Sequence, residues 1–224
     1  MTATDAGATS VLVVDVGGTN VKIWASAHAQ GRQISSGAQM TAAEMVKQVL
    51  AITSDWRFDV VSIGYPGVVI DNQVKKEPKN LGEGWTGFNF ARAFGRSVRM
   101  INDAALQALG SYQGGRMLFL GLGTGLGAAL IINGEVQPLE LAHLPYGSGG
   151  SYEDFVGLRG LLRLGEEEWL NHVTKVASLF FEAFLVEEVV VGGGNAHRLR
   201  ELPAYARRVD NKQAFVGGVR LWQG

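Results

Sequence analysis

Short apolar runs that stop at glycine recur along this chain, and the first lies near its start. Val11 to Asp15 is apolar up to its last residue and leads into the turn Gly17-Gly18-Thr19-Asn20. Val21 to Trp24 then resumes an extended pattern. A short apolar run bounded by turn residues is typical of a buried strand, so the segment predicts a strand, a glycine turn and a second strand.

The same arrangement returns after residue 116. Met117 to Leu120 is apolar, the glycine-rich stretch 121–127 follows, and Ala128 to Ile132 predicts a second strand that closes on Asn133-Gly134. An internal repeat of this kind sets the architecture of a chain and here predicts two similar lobes. Such lobes would place their glycine loops face to face across a cleft.

Other stretches of the pattern predict the remaining elements. Thr41 is a suitable N-cap for a helix over the residues that follow it. The further predicted elements are strands at Asp59–Gly64, Val98–Ile101 and Val189–Val191, a hairpin at Val68–Val74, and helices at Ala104–Leu109, Ser151–Leu164 and Glu166–Leu185. The last strand runs into a third glycine loop, Gly192-Gly193-Gly194.

Composition adds three constraints. Glycine makes up 31 of the 224 residues, about twice the roughly 7% of an average protein. Lys and Arg number 20 against 21 Asp and Glu, and the resulting net charge of −1 argues against a nucleic-acid partner. There is no cysteine, which excludes disulfides, thiol nucleophiles, thiolate zinc sites and iron–sulfur clusters.

The ends of the chain and its longest apolar stretches bear on localisation. The first ten residues are mostly small and polar, without the basic flank and apolar run of a secretory signal. No apolar stretch approaches the ~18 residues of a membrane-spanning helix. We therefore expect a cytoplasmic protein without a membrane partner.

The glycine loops suit phosphate, because glycine lets backbone N–H groups approach a polyanion closely. The alternative is a set of tight hairpin turns, but three loops that each end an apolar run favour a phosphate or nucleotide site. The ordinary P-loop motif does not occur. Gly123, Gly125 and Ala128 fit a loose dinucleotide-binding pattern, which requires a helix next. Because a strand is predicted there instead, the Rossmann interpretation fails.

Seven motifs, taken in their order and spacing, resemble the ROK family of sugar kinases. They are Asp15-Val-Gly-Gly-Thr-Asn20, Gly64-Tyr-Pro-Gly67, Asn80-Leu81 with Trp85, Asn102-Asp103, Leu122-Gly-Thr-Gly-Leu-Gly127, Glu140-Leu-Ala-His143 and Gly192-Gly-Gly194. Within the family, the compact length, the missing cysteines and the Glu167-Glu-Trp169 helix are most similar to the polyphosphate glucokinases.

The resemblance implies an α/β fold of the actin and hexokinase (ribonuclease H-like) type, with two lobes and a cleft between them. The expected organisation is a disordered tail at residues 1–10, a small N-terminal lobe at 11–103 and a C-terminal lobe at 104–224.

Phosphoryl transfer needs the acceptor hydroxyl held in place, the phosphate charge neutralised and a base for the proton. The resemblance assigns the base to Asp103. The alternative is that Asn102 or Asp103 only caps a helix, which explains one of the two well and the pair poorly. The resemblance also implies that Asp15 holds Mg²⁺ through water. The alternative for Asp15 is an ordinary turn residue before glycine.

Two sets of binding residues follow from the resemblance. The donor's phosphates or nucleotide are assigned to Asp15, Gly17, Gly18, Thr19, Asn20, Gly123, Thr124, Gly125, Gly193 and Gly194. The sugar is assigned to Gly67, Asn80, Asn102, Asp103, Glu140, His143 and Glu153. The alternatives are an interior histidine for His143 and a solvated face for Glu140 and Glu153.

One departure from the family lies between these sugar residues. Leu144 to Glu153 resembles the family's zinc motif with its three cysteines replaced, and Ala142 stands where the family usually has glycine. A lone His143 without thiolate partners cannot hold tetrahedral zinc, so we expect none.

The leading hypothesis from the sequence is therefore a Mg²⁺-dependent enzyme of carbohydrate metabolism. It would transfer a phosphoryl group from ATP or polyphosphate to a hexose hydroxyl, with glucose the leading acceptor and glucose 6-phosphate the product. The alternatives are a sugar-binding or regulatory protein that has lost activity, and another kinase of the actin-like superfamily. A homodimer is expected from the resemblance alone. Lys75, Lys76 and Lys79 form a basic run that could guide polyphosphate, but the pattern favours a solvated loop.

Overall fold

A computed structural model of the chain describes residues 9–147 and 149–223. All but the last two residues of the predicted tail, 1–10, lie outside the described residues. The described chain divides into two compact units. The N-terminal unit is the described part of Met1–Ile101 together with that of Leu221–Gly224, and the C-terminal unit is Asn102–Arg220. The division thus falls before Asp103, and the end of the chain returns to the N-terminal unit.

The N-terminal unit is built on a mixed sheet. Its elements are β1 (Val11–Val16), β2 (Asn20–Ala25), β3 (Arg32–Ser35), α1 (Ala42–Ile52), β4 (Val60–Tyr65), β5 (Val69–Ile70), β6 (Gln73–Val74), α2 (Phe90–Phe94) and β7 (Ser97–Asn102). The sheet has the order β3-β2-β1-β4-β7, with β1 antiparallel to β2 and parallel to β4. All six residues of β1 are buried, as expected for a central strand of a sheet covered on both faces.

The core of this unit forms where helix and sheet faces meet. Met45 and Val49 of α1 pack with Leu12 and Ile63 of the sheet, and Trp85 is fully buried beside them. As predicted, Thr41 caps α1, and its hydroxyl accepts the backbone N–H of Glu44 at 3.2 Å.

The C-terminal unit repeats the same plan. Its elements are α3 (Asp103–Ser111), β8 (Arg116–Leu122), β9 (Leu126–Ile132), β10 (Glu135–Leu139), β11 (Pro145–Tyr146), β12 (Gly150–Ser151), α4 (Tyr152–Val156), α5 (Leu158–Leu164), α6 (Glu166–Ala183), β13 (Glu188–Gly192), β14 (Ala206–Arg208) and α7 (Gln213–Arg220), with a 3-10 turn at Ala196–Arg198. The main sheet has the order β10-β9-β8-β13-β14, again with an antiparallel trio followed by parallel strands.

The predicted internal repeat is therefore present in the sheet order of both units. In each, a glycine loop joins an antiparallel pair, β1 to β2 and β8 to β9. The second loop leads into a strand and not a helix, which confirms that the Rossmann interpretation was rightly rejected.

The prediction of one helix over Ser151–Leu164 was wrong, because the segment forms α4 and α5 with a break at Gly157. Gly157 has an extended backbone, and the next N–H, that of Leu158, donates to the carbonyl of Thr124 at 3.2 Å. The bond to the second glycine loop replaces a helical bond at this point. The edge strands β3, β10 and β14 and the short helix α2 were also missed.

The backbones of helices α3 and α7 are in direct contact. A Cβ placed on Gly217 would overlap the carbonyl oxygen of Leu106, and one placed on Gly110 would lie 2.7 Å from the nitrogen of Gly217. This contact sets the position of α3, whose first residue is Asp103. In the part of the chain that the structure describes, every helix is too short or too polar to cross a bilayer.

Candidate active site

The first glycine loop lies at the carboxyl end of β1. The N–H of Gly17 donates to the carbonyl of Asn20 at 3.0 Å, which closes a tight turn with Gly18 and Thr19 exposed at its tip. The hydroxyl of Ser36 donates to the carbonyl of Gly17 at 2.6 Å and holds the turn from outside. The exposed tip thus has the shape expected of a phosphate-binding loop.

Asp15 lies inside β1 and not in the turn that follows. It is paired in register with Lys22 of β2 and Gly64 of β4, and is only 8% exposed. Burial raises the pKa of Asp15 to about 6, against a smaller opposing effect from the charge of Lys22. Within residues 9–147 and 149–223 no group of three or more His, Cys, Asp or Glu residues could hold a metal ion. A buried carboxylate with incompletely compensated charge fits Mg²⁺, which in proteins is usually held by one or two carboxylates with water and phosphate oxygens.

Two predicted sugar residues lie at the same edge of this sheet. Asn80 lies against the first loop, because a Cβ on Gly18 would come within 3.3 Å of the Asn80 Cβ. Gly67 follows β4, and its N–H donates to the carbonyl of Tyr65 at 2.9 Å. Since β1 and β4 are parallel, both loops leave the sheet at its carboxyl edge, where α/β proteins bind ligands.

In the C-terminal unit, Asn102 and Asp103 occupy the start of α3. The Asn102 Oδ1 accepts the N–H of Ala105 at 3.1 Å, so Asn102 is the helix cap. Asp103 is the first helical residue, and its Oδ1 accepts the N–H of Ala104 at 2.8 Å. The cap interpretation is therefore correct for Asn102, while the catalytic role of Asp103 stays a prediction.

The second glycine loop is in contact with the start of α3. A Cβ on Gly127 would lie 2.8 Å from the Cβ of Ala104, so the residue after Asp103 packs on the end of this loop. Inside the loop, the N–H of Gly123 donates to the carbonyl of Gly125 at 3.1 Å, and Thr124 is exposed. The predicted base and the predicted phosphate loop thus belong to one contiguous patch.

Glu153 extends this patch toward the predicted sugar residues. Its carboxylate lies directly on Gly125, where a Cβ would overlap the Glu153 Oε2. The N–H of Glu153 donates to the carbonyl of Ala142 at 2.9 Å, which places His143 beside the start of α4. Ala142 is buried and does not have the positive φ that would require glycine. The residue that departs from the family is therefore accommodated without backbone strain.

The structure rejects the alternative interpretation for two of the predicted sugar residues and leaves it open for a third. His143 is exposed, so the interpretation as an interior histidine is wrong. The Glu153 side chain is only 19% exposed and touches the loop, so a solvated face does not describe it. Glu140 is exposed directly after β10, and a solvated face remains open for it.

The third glycine loop is tied to the second by a residue that sequence reasoning missed. Asn195 donates from its backbone N–H to the carbonyl of Leu122 at 2.9 Å and from its side chain to the carbonyl of Gly123 at 3.1 Å. Gly193 has a φ of +88°, a conformation that glycine adopts without penalty. The signal for Asn195 was its place directly after the triple glycine.

Aromatic packing holds the segment that resembles the zinc motif. Tyr146 stacks on Tyr152 at 4.8 Å between ring centroids and meets Phe155 edge-on at 5.1 Å. The Tyr146 hydroxyl shares a hydrogen bond of 3.0 Å with the Nδ1 of His172 on α6. This cluster fixes the loop between His143 and Glu153 to the body of the unit.

The structure therefore brings together Asn102, Asp103, the second and third glycine loops, His143 and Glu153 within the C-terminal unit. In the N-terminal unit it brings together Asp15, the loop 17–20, Gly67 and Asn80. Their binding roles stay predictions.

Sequence comparison matches the family model of the ROK family to residues 2–138. The chain is 25% identical over 179 residues to a polyphosphate glucokinase of Mycobacterium leprae, covering 70% of this chain and 55% of the relative. It is 29% identical over 158 residues to a polyphosphate glucokinase of Mycobacterium tuberculosis, covering 62% and 57%. The chain thus spans little more than half the length of these relatives.

Solved structures with the same fold include two sugar kinases. An inorganic polyphosphate/ATP-glucomannokinase from Arthrobacter sp. strain KM superposes with a TM-score of 0.81 at 24% identity, covering 96% of this chain and 98% of that one. A ROK family glucokinase from Streptomyces griseus, in complex with glucose and AMPPNP, gives 0.73 at 18% identity, covering 96% and 100%. These likenesses confirm the predicted α/β fold of the actin and hexokinase type.

Proposed function

The chain belongs to the ROK family, and we propose that it is a sugar kinase that transfers a phosphoryl group to a hexose hydroxyl. One observation carries the proposal. In the C-terminal unit, the carboxylate of Glu153 lies on Gly125 of the second glycine loop. A sugar bound by Glu153 would therefore sit beside a phosphate bound by that loop.

The proposed reaction needs one proton acceptor. Asp103 takes the proton of the sugar hydroxyl while the hydroxyl oxygen bonds to the terminal phosphorus of the donor. The bond between that phosphorus and the donor's bridging oxygen breaks, and the shortened donor leaves with the electron pair. The hydrogen bond from the Ala104 N–H to Oδ1 fixes the orientation of the Asp103 side chain.

In this proposal each unit carries groups suited to the phosphates of the donor. The N–H groups of the glycine loops receive the phosphate oxygens. Asp15 would hold Mg²⁺ through water, and the ion would neutralise phosphate charge. At the tip of the first loop, Gly18 and Thr19 are exposed among the described residues, as this role requires.

The names of the relatives support the proposed acceptor and donor. Proteins named polyphosphate glucokinase support glucose as acceptor and polyphosphate as donor. A structural relative named for both polyphosphate and ATP supports ATP as a second donor, and its name adds mannose as an acceptor. We propose glucose, with glucose 6-phosphate as product.

The test is the formation of sugar phosphate by the purified protein with Mg²⁺. Glucose, mannose and N-acetylglucosamine are each supplied with ATP and, separately, with polyphosphate. Asp103→Asn should lower turnover by about 10²- to 10⁴-fold, the usual contribution of a general base. The asparagine oxygen can still accept the Ala104 N–H, so the unfolding midpoint should stay close to that of the wild type.

The matched control is Asp210→Asn. Asp210 lies in the same unit and also accepts a backbone N–H close in sequence, that of Lys212 at 2.9 Å. Its variant should keep full turnover. If the protein bound sugar but showed no turnover with any pair of donor and acceptor, the result would favour the alternative of a sugar-binding protein without activity.

A further inference from the structure

A pocket in the C-terminal unit lies next to the candidate active site and has no role in the reaction as described. Its volume is about 460 Å³, within the usual range for small-ligand sites. The lining residues are Gly149, Gly150, Asp154, Phe155, Arg159 and Arg163.

Arg159 connects this pocket to the phosphate loop. It directly follows Leu158, whose N–H is bonded to the carbonyl of Thr124. The guanidinium of Arg159 lies 3.3 Å from the Glu153 carboxylate, and Glu153 in turn lies on Gly125. The side chain of Arg159 is nevertheless 74% exposed. The solvent-exposed guanidinium of Arg159 thus lies close to the end of the second glycine loop.

Arg163 extends the cationic surface by one helical turn. It lies four residues after Arg159 on α5, which places both side chains on one face of the helix. Arg163 donates to the carbonyl of Asp154 at 3.0 Å, and its guanidinium covers the ring of Phe155 at 5.0 Å. Its remaining N–H groups are left for an anion.

The chemistry of the pocket favours a run of phosphates over a nucleotide. Phe155 is the one aromatic residue among the lining residues described, and Arg163 and His172 already pack against its ring. The face of the Phe155 ring that Arg163 covers is therefore not available for a base to stack on. The pair between Arg159 and Asp154 is long, at 3.9 Å, and both of its side chains are exposed, so it is weak. Phosphate oxygens, which guanidinium groups bind in a bidentate manner, can displace the Asp154 carboxylate from Arg159.

We propose that Arg159 and Arg163 form a distal anion subsite, which binds the phosphates of a polyphosphate donor beyond the one being transferred. The inference rests on the proposed kinase function and deepens it. A polyphosphate chain would start at the second glycine loop and continue along α5. ATP has too few phosphates to contact both arginines while its terminal phosphate lies at the second glycine loop.

The test compares Arg163→Gln with the wild type, because among the described residues Arg163 bonds to Asp154 and covers Phe155, and has no hydrogen bond or ion pair with Glu153 or the glycine loops. Donors are ATP, tripolyphosphate and long-chain polyphosphate, each with saturating glucose. The KM for long-chain polyphosphate should rise about tenfold, as expected for the loss of one hydrogen bond to a charged group. The KM for ATP should stay within about twofold, and the advantage of long chains over tripolyphosphate should shrink. Arg159→Gln combined with Arg163→Gln should remove that advantage.

Two controls locate the effect. Arg200→Gln removes an exposed arginine of the same unit that does not line the pocket, and should change nothing. A triple variant of the basic run, with Lys75, Lys76 and Lys79 changed to Gln, tests the competing cationic surface. If the triple variant and not Arg163→Gln lost the chain-length advantage, the proposal would be overturned. Equal losses with ATP and polyphosphate in Arg163→Gln would also overturn it.

Calorimetric binding of long-chain polyphosphate in the absence of sugar separates this inference from the proposed function. Inactivity of the wild type with every donor would contradict the kinase proposal alone. Binding of polyphosphate that is equal in the wild type and the double arginine variant would contradict the subsite alone. Weaker binding in the double variant, with binding unchanged in Arg200→Gln, would support it.

Discussion

Asp15→Asn should stabilise the protein at neutral pH while removing the carboxylate proposed to hold Mg²⁺. The pKa of Asp15 is raised by burial from 3.8 to about 6, so its charged form is disfavoured in the folded state. One pKa unit corresponds to about 1.4 kcal/mol, so this rise equals about 3 kcal/mol of folding free energy. Asparagine has nearly the same shape and no charge to bury.

The direction of the pH dependence follows from which state, folded or unfolded, binds the Asp15 proton more tightly. The folded state holds the Asp15 proton more tightly than the unfolded state, so the wild type is fully free of this penalty below pH 3.8. The wild type then loses stability as the pH rises through about 6, while the variant does not. The difference between variant and wild type should therefore grow by up to about 3 kcal/mol between pH 4 and pH 8.

The assay is urea unfolding at a series of pH values, followed by tryptophan fluorescence. Four of the five tryptophans lie in the N-terminal unit with Asp15. Asp55→Asn is the control, because an ion pair with Arg32 lowers the pKa of Asp55 to about 2 and puts its titration below the measured range. A difference that is flat from pH 4 to pH 8 for Asp15→Asn would refute the reasoning. Addition of Mg²⁺ with inorganic phosphate at pH 8 should stabilise the wild type and not the variant.

Two further substitutions test the scaffold of the C-terminal unit. Gly217→Ala should lower the free energy of unfolding by about 1–3 kcal/mol or more, because the added Cβ would meet the backbone of Leu106, which cannot rotate away. The midpoint of urea unfolding measures the loss. An unchanged midpoint would contradict the close packing of α3 and α7. Tyr146→Phe keeps the stacked ring and removes only the hydrogen bond to His172, so a loss of about 1 kcal/mol is expected from the same measurement. A loss several times larger would mean that the hydroxyl does more than join this loop to α6.

The sequence was sufficient for the central strands and for the loops between them. The pairs β1–β2 and β8–β9 were predictable because a buried strand needs an apolar run and a tight turn needs glycine. The strands β3, β10 and β14 lie at the edges of their sheets, and several of their residues remain accessible to solvent. Such strands need no continuous apolar run, so the pattern contained no signal for them.

The contacts inside the candidate site were beyond the pattern for a different reason. The pairs Gly18 with Asn80 and Gly125 with Glu153 join segments that are distant along the chain. Their residue types were predicted from family motifs, but periodicity carries no information about which loops meet. The break at Gly157 has the same origin, since it depends on a bond to Thr124.

Glycine serves two separate purposes in this chain, and the distinction bears on how substitutions will act. At Gly110 and Gly217 the absent side chain lets two helix backbones touch, so added atoms meet rigid main chain and cost stability. At Gly125 the absent side chain leaves room for the end of the flexible Glu153 side chain, which can move aside. Substitution of Gly110 or Gly217 should therefore first lower the stability of the fold. Substitution of Gly125 should first weaken ligand binding. The excess of glycine in the composition thus combines a requirement of the scaffold with one of the site.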